Sequence, residues 1–233
     1  MPLQTTSIPY KDHRYPHYYL CNYLPLSAGK DTLSYSLLKF KRGLQPDLDG
    51  WISCSLEMLA PHIPPGRTIL RALHHDETIA REEAPTSLDK LGKALAHHLR
   101  GHYHPRMLRK SRVTPAIKQL SREQRTAELE GLYSIDPSRP PSSRPSFLII
   151  DDILTTGATM KMIIDALRHA YPHAGLEVFT LARADYDTRG SQPAISSGQN
   201  YPTGQDMDWT VAEEGTPAYS LQELKSRITM DIF

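Results

Sequence analysis

Phe147-Leu148-Ile149-Ile150-Asp151-Asp152-Ile153-Leu154-Thr155-Thr156-Gly157-Ala158-Thr159 carries four apolar residues straight into two adjacent carboxylates and then a threonine-rich loop. An apolar run bounded by turn residues predicts a strand buried on both faces, as in a parallel sheet. From Met160 the pattern changes period. Met160, Ile163, Ile164 and Leu167 recur at helical spacing and predict a helix with one face to bury on that sheet. The loop then lies at the carboxyl end of a central strand and the amino end of a helix, where open α/β sheets bind ligands.

That placement suggests chemistry. Backbone N–H groups of Thr155, Thr156, Gly157, Ala158 and Thr159 at a helix start lack intrahelical acceptors and can cradle a phosphate. Gly157 lets an anion approach without a Cβ, and the three threonine hydroxyls add neutral donors. Asp151 and Asp152 would repel a phosphate, and suit instead the hydroxyls of a diol or the vicinity of a magnesium ion. A phosphate at one end and a diol at the other describe a ribose 5-phosphate. An ATPase strand of the Asp-Asp kind needs a phosphate loop upstream, and Gly29-Lys30-Asp31-Thr32 has the wrong order with no apolar strand before it.

The segment resembles the phosphoribosyl pyrophosphate (PRPP) motif of type I phosphoribosyltransferases. Arg112 to Arg125, with Thr114, Gln119, Leu120 and Arg125, looks like a stretch of the ComF-like (competence protein F-like) members. Leu37-Leu38-Lys39-Phe40-Lys41-Arg42-Gly43 is similar to their early lysine–aromatic segment, and Thr180-Leu181-Ala182-Arg183 also fits. The resemblance spans residues 33–183, densely only at the PRPP motif. It implies the type I phosphoribosyltransferase fold: α/β, a central mostly parallel sheet flanked by helices, with a small cap or hood from the N-terminal region and the C-terminal tail. It also implies transfer of a 5-phosphoribosyl group from PRPP to an acceptor, a nitrogenous base in most members, with release of pyrophosphate.

The same resemblance assigns roles. Asp151 and Asp152 would orient the ribose and stabilise charge at its anomeric carbon, and Thr155 to Thr159 would hold the 5-phosphate. Magnesium would arrive with PRPP, near Asp151 and Asp152, with no direct protein ligand assigned. Cations on the mobile loop, here Arg112, Arg122 and Arg125, would meet the leaving pyrophosphate. The pyrophosphate-contacting loop after the first core strand falls on His74 and His75, and here the chain departs from the ComF-like pattern. That departure supports an alternative: a non-catalytic PRPP- or nucleotide-binding regulator, or a DNA-uptake accessory protein. Nucleic acid could meet the cation run 109–125, but its position in the chain favours the pyrophosphate reading.

The remaining sequence bounds the rest. With 233 residues and a formal net charge of +1, the chain can build one good α/β core and carries no global field toward nucleic acid or membrane. Two distant cysteines, Cys21 and Cys54, argue against a disulfide framework and for a reduced, cytoplasmic setting. The N-terminal zinc cysteines of ComF-like members are absent, so no structural zinc is expected. No apolar run reaches membrane length.

Three regions are expected: 1–66 as cap and helices, 67–183 as the phosphoribosyltransferase core, and 184–233 as polar loop and C-terminal helix. Residues 1–31, rich in tyrosine and proline, are read as an irregular packing cap. Helices are predicted over 32–43 and 49–59, a first core strand over 68–73, and a helix capped by Ser87 that carries Leu88, Leu91, Leu95 and Leu99. His97 and His98 are adjacent on that helix and cannot face one metal together, and His102 and His104 are placed in a turn. An amphipathic helix from Ala218 is a candidate contact for a homo-oligomer.

Overall fold

In the computed structural model, residues 3–23, 32–114, 131–136 and 145–184 are described. Their elements run β1 (Gln4–Tyr10), β2 (His13–Tyr23), α1 (Thr32–Lys41), α2 (Asp47–Leu59), β3 (Thr68–Arg71) and α3 (Ser87–His98). There follow β4 (His102–Tyr103), β5 (Leu108–Lys110), β6 (Tyr133–Ile135), β7 (Ser146–Leu154), α4 (Ala158–Ala170) and β8 (Gly175–Ala184). The central sheet has the order β1-β2-β8-β7-β3-β4, parallel throughout except for β1, and β5 and β6 form a separate antiparallel pair. This is the mostly parallel α/β sheet expected from the apolar run of β7.

Side chains alternate across the sheet and build two cores. Leu148, Ile150, Phe179 and Leu181 face α1, α2 and α3, meeting Leu37, Phe40, Trp51, Leu91 and Leu95. Phe147, Ile149 and Val178 face the other way, against Met160, Ile163, Ile164 and Leu167 of α4 and Leu108 and Tyr133 of the β5–β6 pair. Those four α4 side chains are buried, and at about 1.5–3 kcal/mol each they contribute roughly 6–12 kcal/mol of apolar burial. α4 begins at Ala158, two residues before the onset read from periodicity.

Several expectations are corrected. Residues 4–23 are not an irregular cap. They form a hairpin whose second strand lies parallel to β8, His17 opposite Val178 and Cys21 opposite Ala182. The core sheet therefore draws on residues well before 67. α3 is capped by Thr86, whose hydroxyl accepts from the Asp89 N–H while the Asp89 carboxylate accepts from the Thr86 N–H at 2.7 Å. Ser87 donates to the Phe40 carbonyl instead and ties α3 to α1. His102 lies in β4, paired with Thr68, rather than in a turn. The chain reaches β4 through Gly101, where a Cβ would stand 2.2 Å from the Arg67 carbonyl oxygen, so only glycine fits.

Both cysteines are buried and unbridged. No helix among the described residues is long and apolar enough to cross a membrane. The polar stretch and the helix expected beyond residue 184 lie outside the described residues, as does most of the loop 136–145.

Candidate active-site cleft

β7 ends in the site. It runs unbroken through Asp151 and Asp152 to Leu154, so the two carboxylates leave opposite faces of the strand. Asp152 shares the α1–α3 face, where its Oδ2 meets Lys41 Nζ at 2.7 Å and its Oδ1 accepts from the Ile153 N–H at 2.7 Å. Asp151 points toward the α4 face, and its Oδ1 accepts from the Asp152 N–H at 2.9 Å. Asp151 has no ion-pair partner among the described residues. Burial, and then the Asp152 charge, pushes its pKa well above the usual carboxylate range.

Past Leu154 the chain turns at Thr155 and Thr156, which are exposed, and enters α4 through Gly157 at φ +73°. A left-handed residue at that point requires glycine for ease. Among the described residues no side chain at this N-cap satisfies the first turn, and only a 3.5 Å approach of the Ala158 N–H to the Thr156 hydroxyl competes for those donors. The helix start is an open set of N–H groups with the positive end of its dipole beside them.

The site opens into a cleft of about 840 Å³. Asp151, Asp152 and Thr159 form one side. Leu38, Phe40, Lys41 and Arg42 at the end of α1 form a second, and Thr86, Ser87 and Leu88 at the start of α3 a third. Arg71, Ala72, Leu73, His74 and His75 complete it. The carboxylates, the Thr159 end of the threonine loop and the two histidines thus meet in one cavity. Arg112 does not line the cleft. It sits exposed two residues before Thr114, whose N–H donates to the His75 carbonyl at 3.0 Å. Arg122 and Arg125 lie outside the described residues.

Sequence reading missed the groups that hold this cavity in shape. Arg71 is 1% exposed, donates twice to Glu77 at 2.7 Å and once to Asp89 at 2.7 Å, and reaches the Ala72 carbonyl. Tyr103 adds its hydroxyl to Asp89 at 2.7 Å. Burial alone would raise the Glu77 and Asp89 carboxyls. The Arg71 guanidinium, together with the His74 N–H at Glu77 and with Tyr103 and Thr86 at Asp89, outweighs it and leaves both lowered. Glu77 in turn accepts the His74 N–H at 2.8 Å, so the cluster fixes the loop that carries the histidines. Lys110 closes that loop from the β5 side, donating to the His74 carbonyl at 2.6 Å. Burial pushes its pKa down to about 8 against the opposing pull of Glu77, Asp76 and Asp151. A signal for Lys41 existed in the Lys39-Phe40-Lys41-Arg42 stretch. For Arg71, one charge closing the apolar β3 was the only sign.

No family model matches the chain, and no curated protein matches it. Among solved structures it is similar to an adenine phosphoribosyltransferase at 17% identity and TM-score 0.37, over 82% of this chain and 91% of that one. The adenine phosphoribosyltransferase of Saccharomyces cerevisiae is 16% identical at TM-score 0.36, over 82% and 90%. A Staphylococcus aureus hypoxanthine phosphoribosyltransferase is 16% identical at TM-score 0.34, over 64% and 68%. Likeness at this level does not reach substrate or activity.

Proposed function

We propose that the chain binds PRPP in the cleft at the end of β7 and transfers its 5-phosphoribosyl group to a nitrogenous acceptor, releasing pyrophosphate. One observation carries the reading. Two carboxylates on consecutive residues and Thr159, in the first turn of a helix with no side-chain cap, line one cavity together with Lys41 and Arg42. The N–H groups of the α4 start and the threonine hydroxyls hold the 5-phosphate. Asp151 and Asp152 accept from the ribose hydroxyls, and their charge favours the positive character that develops at the anomeric carbon as the glycosidic bond breaks. Cations arranged around the cleft favour the departing pyrophosphate.

Magnesium bound with PRPP fits these residues, because Asp151 is a half-buried carboxylate with no ion-pair partner among the described residues. Asp151 and Asp152 would hold it, and it would supply charge neutralisation on the diphosphate.

Calorimetric titration with PRPP and Mg²⁺ tests the reading. The wild type is expected to bind near the micromolar range, about 8 kcal/mol, and Asp151→Asn/Asp152→Asn to lose that binding. Pyrophosphate release in a screen of nitrogenous bases then separates transfer from binding alone. A folded wild type that ignores PRPP refutes the proposal. Binding with no release for any base moves the chain to the regulatory alternative.

A further inference from the structure

We propose that His74 and His75, with Asp76 behind them, form a binding site for a divalent transition-metal ion at the edge of the cleft. One ligand atom from each of the three residues lies within 4.8 Å of the others. Within that group the closest pair of imidazole nitrogens has the spacing of a shared ion. His74 Nε2 and His75 Nδ1 stand 3.2 Å apart. Two nitrogens bonded to one ion at about 2.0–2.1 Å are separated by roughly 3.0 Å at a right angle and roughly 3.4 Å at the tetrahedral angle.

The chemistry of the rings agrees. Asp76 Oδ1 lies 2.5 Å from His74 Nδ1, a contact that favours the tautomer with its proton on Nδ1, in which Nε2 presents a lone pair toward His75. A carboxylate behind a ligating imidazole fixes its tautomer and orientation and strengthens it as a donor. Asp76 is itself held by Arg81 through both a carboxylate oxygen and its backbone carbonyl. Paired imidazoles select borderline ions such as Zn²⁺, Co²⁺ or Ni²⁺ over Mg²⁺, which prefers oxygen.

The backbone beneath the rings is pinned at every residue. The His74 N–H goes to the buried Glu77, the His74 carbonyl receives Lys110 Nζ and the Glu77 N–H, and the His75 carbonyl receives the Thr114 N–H. Glu77 is locked by Arg71. A pair of rings presented from a fixed loop loses little freedom on binding an ion. Both histidines line the cleft, so coordination positions left open would face whatever occupies it.

The test uses Co²⁺ with tag-free, metal-free protein and no PRPP, so it is independent of the proposed reaction. One equivalent of Co²⁺ should give a saturable visible d–d absorption that Zn²⁺ displaces. His74→Ala and His75→Gln should each abolish it, and Asp76→Asn should weaken binding by about 10–100-fold. His97→Ala, an exposed histidine on α3, should leave it unchanged. His74 and Asp76 side chains are 57% and 52% exposed, so these variants open no core cavity, and far-UV circular dichroism checks that they fold. Absence of saturable Co²⁺ binding by the wild type, or binding that survives both histidine changes, overturns the proposal. The 3.2 Å approach would then be only an N–H···N hydrogen bond.

Discussion

Replacing Arg71 by methionine tests the cluster that shapes the cleft. Arg71, Glu77 and Asp89 have side chains 1%, 4% and 5% exposed, joined by N–O distances of 2.7 Å. Methionine fills much of the volume and leaves two carboxylates in a site closed to water. Breaking a buried ion pair by removing one partner costs about 3–5 kcal/mol, and two orphaned acids place this variant toward the upper end. For a domain of this size that lowers Tm by roughly 6–20 °C.

The pH dependence has a definite sign. In the wild type both carboxyls are held lowered in the folded state, so their stabilisation is complete above their ordinary values and fades as pH falls. In the variant burial acts without the guanidinium and raises both, so the folded state loses stability as pH rises through the ordinary carboxylate range. The gap between the two proteins must therefore widen from about pH 4 to pH 7. Urea unfolding at several pH values measures it. A gap under about 1 kcal/mol at pH 7, or one that does not change with pH, refutes this account of the cluster.

Two further outcomes follow from buried contacts. His17 is fully buried, its Nε2 is 2.8 Å from the Thr180 hydroxyl, and its Nδ1 has no partner among the described residues. Burial, then the Arg183 charge, pushes its pKa down to about 4, so the protein should lose up to about 3 kcal/mol as pH falls from 6.5 toward 4. His17→Leu should flatten that part of the stability profile, and an unchanged slope would assign it to other groups. Gly92 packs α3 on β4 so closely that a Cβ would stand 2.3 Å from the Tyr103 ring. Gly92→Ala should lower stability by about 1–3 kcal/mol in thermal melts, despite alanine's better helix propensity, and a stabilised variant would show that the ring moves aside freely.

The parts of the fold that announced themselves in the chain are those whose signal is local. β7 and α4 carry their own periods, and the acidic pair and Gly157 lie within a few residues of one another. The helices α1, α2 and α3 were legible for the same reason. β1 and β2 were not, because Tyr15, His17 and Tyr19 become a buried strand face only through β8, and tyrosine serves equally in irregular packing. The Lys41–Asp152 pair and the Arg71 cluster escaped because a charged residue alone reads as solvated, and its partner is set by the tertiary fold. The choice between Thr86 and Ser87 as cap turned on Asp89, three residues after the one and two after the other.

The parallel pairing of β2 with β8 also sets an order of events during synthesis. His17 and the Thr180 it touches are 163 residues apart. At about 5–20 residues per second, β2 leaves the ribosome roughly 8–30 s before its partner strand exists. Until then β2 can pair with β1 along one edge only, and the backbone N–H and C=O groups of the edge that receives β8 stay unpaired. An open strand edge of this kind favours association of the nascent chain, and the last of the described strands to emerge is the one that covers it.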